Sequence, residues 1–215
     1  ILKNWDTNKF IERITHQKII KISTKAKFTF VQLEHDVLEW HYRFTGIPHI
    51  ENVPYEDRLY SIFTLPITPK IQDKSIRFRL KTANGLCVNF VDTRCLSTLT
   101  LYPNTTITRT KRFHSLANDL NETQQINIEE LKLCSKNKRL KQFLLDQTTT
   151  PSGIGNYLAC EICAYAKLHP NMLCQDLNPI TITQLNQALS EIHKHAIDSA
   201  TYNWFMVFNK TLCKH

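Results

Sequence analysis

Apolar and polar residues alternate from Lys21 to Phe30. Ile22, Ala26, Phe28 and Phe30 fall on one face, with Lys21, Ser23, Lys25 and Lys27 on the other, a pattern that predicts a half-buried strand. Val37 to Phe44 predicts a second strand. Ile76–Leu80 and Val88–Val91 predict a hairpin with Asn84-Gly85 as its type I′ turn, and Leu99–Tyr102 one strand more. Short strands separated by turn residues suggest an antiparallel β-sandwich. Polar Ser115–Asn127 reads as a domain boundary, and beyond it the period becomes helical. Asn127 with Glu129-Glu130 opens one helix, and Leu140 to Gln147 forms the next. Ala159, Ile162, Cys163 and Ala166 mark a third, ending at His169-Pro170. Thr183 caps a fourth with the stripe Leu185, Leu189, Ile192 and Ala196. The expected class is α+β, with a sandwich over 1–114, a linker over 115–126, a helical domain over 127–210 and a short tail over 211–215.

The chain of 215 residues contains only four glycines, and two stand in Gly153-Ile154-Gly155-Asn156, between two helical runs. Scarce glycines fall where the backbone needs positive φ or close approach. The pattern is helix, tight turn, helix, with Asn156 expected as N-cap of the second. Backbone N–H groups at such a helix start favour an anion. The formal net charge of +8 makes phosphate the natural candidate and favours polyanionic partners.

Hydrophobic residues make up 42% of the chain, ordinary for a globular protein, and no segment approaches a membrane span. The opening Ile1-Leu2-Lys3-Asn4-Trp5 lacks the apolar stretch of a secretory signal, and without an initiator Met it reads as a fragment or a processed start. Seven cysteines without regular spacing suggest an intracellular, reducing compartment. Cys160 and Cys163 lie one helical turn apart with no second pair nearby, so they read as small buried hydrophobes. His193 and His195 fall off the apolar stripe of their helix and read as solvated.

Leu144-Leu145-Asp146-Gln147, Gly153-Ile154-Gly155-Asn156, Ala159, Glu161 and His169-Pro170 together resemble the helix–two-turn–helix of the Fpg/Nei DNA glycosylases. Other segments match in order. Ala26-Lys27-Phe28 is similar to the family strand bearing a DNA-binding lysine. His41-Tyr42-Arg43-Phe44-Thr45-Gly46 resembles its His-x-Gly-Met-x-Gly segment, and Asp92-Thr93-Arg94-Cys95-Leu96 its Asp-Pro-Arg-Arg-Phe loop. Val207-Phe208-Asn209-Lys210 with Cys213 resembles the lead into a C-terminal zinc finger. That spacing is most similar to the vertebrate second Nei-like branch and its relatives in large DNA viruses.

The resemblance implies a base-excision repair glycosylase with AP lyase activity that flips out oxidised bases, pyrimidines ahead of purines. It implies attack at C1′ by the amine of an N-terminal proline, which is expected to precede Ile1. Lys27 is expected to contact the phosphate beside the lesion and assist strand scission. Damaged DNA, double- or single-stranded, would lie between the halves, on Lys25, Lys27, His41, Gly155, Asn156 and Lys210. Phe44 and Leu96 would wedge into the gap left by the flipped base, and Arg94 would face the estranged base. Thr93 and Cys95 depart from that loop's pattern, and Phe208 replaces a tyrosine. Five residues rather than four separate Gln147 from Gly153. Cys213 is the expected first ligand of a structural zinc completed by further residues; the chemistry itself needs no cofactor. The expected protein is a monomer away from membranes. The rival reading is a non-catalytic nucleic-acid-binding protein using the same two-turn motif, against which the β-rich first half with Lys27 and Arg94 argues.

Overall fold

The computed structural model describes residues 2–51, 73–126, 128, 131, 137–149, 151–199, 204–208 and 210. They form two compact units, Ile1–Phe113 and His114–His215.

The first unit opens with a short strand, Leu2–Lys3 (β1), and a helix, Thr7–Ile14 (α1), which the strand-like reading of the first half did not anticipate. Asp6 caps α1 by accepting the N–H groups of Asn8 and Lys9, each at 3.1 Å. Strands Ile19–Lys25 (β2), Phe28–Leu33 (β3), Val37–His41 (β4), Gly46–Ile50 (β5), Ile76–Lys81 (β6), Cys87–Asp92 (β7) and Thr98–Tyr102 (β8) follow. They make a five-stranded sheet in the order β1-β8-β4-β3-β2 and a three-stranded sheet in the order β5-β7-β6. All neighbours are antiparallel except β1 and β8. The facing aromatics Trp40 and Phe90 (ring centroids 3.6 Å apart) and Phe10 and Phe78 (5.7 Å) close the space between the sheets.

Three expectations about this unit are corrected. The run Lys21–Phe30 is a hairpin rather than one strand, turning at Ala26-Lys27 with Ala26 at φ +54°. The reversal pairs Lys25 with Phe28 and Ser23 with Phe30. The buried phenylalanines therefore share a face with Ser23 and Lys25, while Ile22 points out at 62% exposure. The β6–β7 turn has positive φ at Gly85 alone. Gly85 N–H bonds the Thr82 carbonyl and Thr82 N–H the Leu86 carbonyl, so the loop is three residues with a glycine bulge rather than type I′. Val37–Phe44 ends as a strand at His41 and turns sharply afterwards.

Phe113 and His114, between which the units divide, both lie in a short helix, Lys111–Ser115 (α2). The second unit is helical: Leu140–Leu145 (α3), Asn156–Tyr165 (α4) and Pro179–Asp198 (α5). Residues 115–126, read above as a linker, place Leu120 and Ile126 in the core of this unit. The helix expected from Asn127 falls largely outside the described residues. Asn178, not Thr183, caps α5, and its side chain accepts the Thr181 N–H at 3.0 Å. Leu185, Leu189 and Ile192 are buried as expected, joined by Ile182 and Ala188, but Ala196 is exposed. No described helix is long and apolar enough to cross a membrane.

Candidate nucleic-acid interface

Cross-strand pairing puts Lys25, Phe28, His41 and Thr98 in one row across β2, β3, β4 and β8. Beyond that row project three turns, Ala26-Lys27, residues 42–45 and residues 93–97. This end of the sandwich collects the expected DNA-contacting residues of the first unit. Lys27 is half-buried, and burial lowers its pKa. The Lys25 ammonium lies 4.6 Å above the Phe113 ring and 3.4 Å from the Phe113 carbonyl, so it is held rather than splayed into solvent.

His41 stacks on Phe28, ring centroids 4.3 Å apart. Burial, then the charges of Arg43, Lys27, Arg112 and Lys3, push its imidazole down to about 4. The ring is therefore neutral at pH 7, and the same cations make its surroundings strongly electropositive. Unfolded, it regains an ordinary histidine pKa and binds more protons between about 6.5 and 4. Folding stability is therefore lost as pH falls through that window. His41→Gln should lose less stability than wild type between pH 6.5 and 4, measured by urea midpoints at both pH values. Equal losses would show that His41 does not carry the acid sensitivity.

Two loops at this end are tied by one carboxylate. Asp92 is fully buried and accepts from the Thr45 hydroxyl at 2.5 Å, Ser97 N–H at 2.7 Å and Arg94 N–H at 3.1 Å. Burial alone would raise its pKa, but these bonds hold it below the usual carboxylate range. Gly46 closes the first loop by donating to the Tyr42 carbonyl at 3.0 Å. A Cβ there would stand 2.5 Å from that oxygen, so only glycine fits. With their bases fixed, the tips stand out: Phe44 is 62% exposed and Leu96 43%, and Arg94 is exposed as well. Neither apolar side chain is a core residue. The sequence pointed to the tips and quoted Asp92 only as part of a motif; its anchoring role depends on the pairing of β5 with β7.

In the second unit the glycine turn is built around Gln147. Its side-chain oxygen accepts Gly153 N–H at 2.9 Å, and its amide donates to the carbonyls of Leu145 (2.8 Å) and Ile154 (3.1 Å). These bonds tie the two ends of the five-residue span directly together. Gly153 has φ +93°, a conformation that disfavours side chains. Fully buried Ile154 pins the turn to the core. Gly155 is extended and is the N-cap, with no side-chain capping bond. Asn156, expected as the cap, is instead the first residue of α4 and is exposed. Its side chain has no hydrogen-bond partner among the described residues, so it is available beside the N–H groups opening the helix.

Glu161, from the middle of α4, is fully buried. It accepts the N–H groups of Met206 (2.7 Å), Val207 (3.1 Å) and Phe208 (2.7 Å). This carboxylate fixes the segment leading to exposed Lys210. Its role was not legible beforehand, because three backbone donors 45 or more residues away leave no local signal.

Burial pushes the Cys163 thiol up to about 12, as suits an inert core residue. Cys160 is half-buried, 3.6 Å from the Lys141 ammonium. His193 bonds Asn121 at 3.0 Å and His195 stacks on Trp204, so neither is merely solvated. Among the described residues no group of three or more His, Cys, Asp or Glu is placed to hold a metal. Cys213 lies outside them.

Residues 1–99 match the formamidopyrimidine-DNA glycosylase N-terminal domain, and residues 116–204 the formamidopyrimidine-DNA glycosylase H2TH domain. Formamidopyrimidine-DNA glycosylase of Pelotomaculum thermopropionicum is 26% identical over 93% of this chain and 67% of its own length. That of Ureaplasma parvum is 32% identical over 82% of this chain and 60% of its own length. The chain thus spans roughly two thirds or less of these relatives. The fold is similar to the Lactococcus lactis enzyme bound non-covalently to DNA containing an AP site. That likeness has a TM-score of 0.74 at 22% identity, over 96% of this chain and 76% of the other. MutM in complex with carbocyclic 8-oxo-G DNA gives a TM-score of 0.67 at 21% identity, over 89% of this chain and 66% of that one.

Proposed function

We propose that this chain, which belongs to the formamidopyrimidine-DNA glycosylase family, is the DNA-gripping body of a base-excision glycosylase with AP lyase activity. The observation that carries the reading is the pair of prepared surfaces, one in each unit. In the first, Lys27, His41 and Arg94 stand beside the exposed Phe44 and Leu96. In the second, the Gln147-braced turn presents Gly155, Asn156 and the open start of α4.

Phosphates of damaged DNA would sit at Asn156 and near Lys27 and His41, with Lys210 adding charge. Phe44 and Leu96 suit insertion into a stack from which a base has been withdrawn, and Arg94 suits the base left behind. The lowered pKa of Lys27 lets it release a proton more readily than a solvated lysine, which supports a part in strand scission. We assign the nucleophilic amine to none of the described residues. Oxidised bases are the proposed substrates, pyrimidines first, because the spacing from Val207 to Cys213 leans to the Nei-like side. A structural zinc would take Cys213 as its first ligand.

A bare nucleic-acid-binding module with the two-turn motif is disfavoured, since residues 1–99 match a glycosylase domain as well. The test is binding to a duplex with a stable abasic-site analogue, compared with the undamaged duplex. Tighter binding of the analogue is expected, and equal binding would remove the glycosylase reading. Asn156→Ala should weaken the complex about tenfold, with stability changed by less than about 0.5 kcal/mol. Unchanged affinity would remove the phosphate from Asn156.

A further inference from the structure

Residue 43 is the least expected member of its loop. Arg43 holds φ at +57°, a region in which a side chain costs about 1–2 kcal/mol relative to glycine. Among the described residues nothing local repays that cost. The side chain is exposed, and among the described residues it makes no ion pair or hydrogen bond. The backbone around it is closed on both sides, by Gly46 N–H on the Tyr42 carbonyl and by the Thr45 hydroxyl on Asp92. The loop therefore cannot relax by sliding, and the arginine is presented outward at its tip beside Phe44. Two neighbouring turns at this end also carry non-glycine residues at positive φ, Ala26 at +54° and Cys95 at +55°. Backbone strain that local contacts do not offset points to a role outside the fold.

The surroundings of Arg43 say what kind of role. It lies close enough to His41 to oppose protonation of the imidazole, as do Lys27, Arg112 and Lys3. The carboxylates nearby are already engaged: Glu39 with Tyr102 and Arg112, and Asp92 with the loop backbone. A guanidinium among cations, with no acid to answer it among the described residues, fits a group bearing spread negative charge and paired acceptor oxygens.

The geometry points to Arg43 as a DNA-backbone contact: its guanidinium grips a phosphodiester next to the step at which Phe44 enters. This assignment rests on the DNA-binding reading above and adds to it a contact that neither Lys27 nor His41 supplies. Arg43 thereby couples wedge and grip, since one short loop places the apolar side chain in the stack and the cation on the backbone outside it.

Arg43→Gly separates this role from a structural one, because the two predict opposite results. Glycine relieves the strained φ, so the thermal midpoint should be unchanged or raised. Loss of a charge-assisted contact should weaken binding to an abasic-analogue duplex about tenfold at low salt. It should also reduce the slope of log affinity against log salt by about one. Arg43→Lys should keep the slope and recover part of the affinity. Wild-type affinity and slope in Arg43→Gly, with wild type itself binding, would overturn the Arg43 assignment alone. Loss confined to one opposing base at an unchanged slope would overturn it in favour of base contact. Failure of wild type to bind DNA would remove this assignment together with the function it rests on.

Discussion

Glu161→Ala should destabilise the helical unit by about 3–5 kcal/mol, among the largest losses any single truncation outside the hydrophobic core produces. The side chain is fully buried and its two oxygens take three backbone donors, from Met206, Val207 and Phe208. Removing it leaves those N–H groups without acceptors at the edge of a core formed by Leu158, Ile162 and their neighbours. Glu161→Gln keeps the volume but turns an NH2 group toward N–H donors, so it should still cost about 2 kcal/mol. The damage should extend to binding. Phe205 and Phe208 pack on Tyr157, with ring centroids 5.4 and 6.1 Å apart, next to Asn156. Freeing 206–208 therefore loosens both the approach to Lys210 and the first turn of α4. Urea unfolding followed by helical signal, with amide exchange at 206–208, checks the expectation. Native midpoint and native protection in Glu161→Ala would refute it.

How far such roles were legible in advance depends on the distance over which each signal acts. The sandwich, the β6–β7 hairpin and α3 and α4 were readable because alternation, helical period and turn residues are local. Gly153-Ile154-Gly155-Asn156 was readable for the same reason, since scarce glycines mark unusual backbone. The readings that failed did so where a neighbour in space decided the outcome. Lys21–Phe30 alternates throughout, and a two-residue turn leaves that alternation unbroken along the chain while reversing which residues share a face. Ala26 gives no warning, being neither Gly nor Asn. α1 was overlooked although it is amphipathic, because in only eight residues its core-facing stripe is no more than Phe10 and Ile14. Asn156 looked like a cap, yet Gly155 took that place, which leaves the asparagine amide unbonded among the described residues and better suited to a ligand. Arg43 stood only inside the His41–Gly46 segment, and nothing local in the sequence announced its positive φ.

On the proposed DNA-binding reading, Asp92→Ala should weaken DNA binding more than loss of any one loop-tip residue, because a single carboxylate sets the base of both loops. Its oxygens accept from Thr45 in one loop and from Arg94 and Ser97 in the other. Without it the Thr45 hydroxyl and the Ser97 N–H are buried and unanswered, a cost of about 3 kcal/mol in stability. The effect on binding is larger in kind. In the proposed DNA grip, Arg43, Phe44, Arg94 and Leu96 would act together only while their tips are held in fixed relation, and ordering two mobile loops on binding would consume interaction energy otherwise available for affinity. Asp92→Asn retains one acceptor oxygen and should fall between Ala and wild type, while Thr45→Val, losing one bond, should cost about 1 kcal/mol. Acid gives an independent check. The folded-state pKa of Asp92 lies below the ordinary carboxylate value, so its contribution is present at neutral pH and lost as pH falls through that lower value. Asp92→Asn should therefore be less acid-sensitive than wild type. If Asp92→Ala keeps wild-type stability and binds an abasic-analogue duplex as wild type does, the two loops are held by something other than this carboxylate.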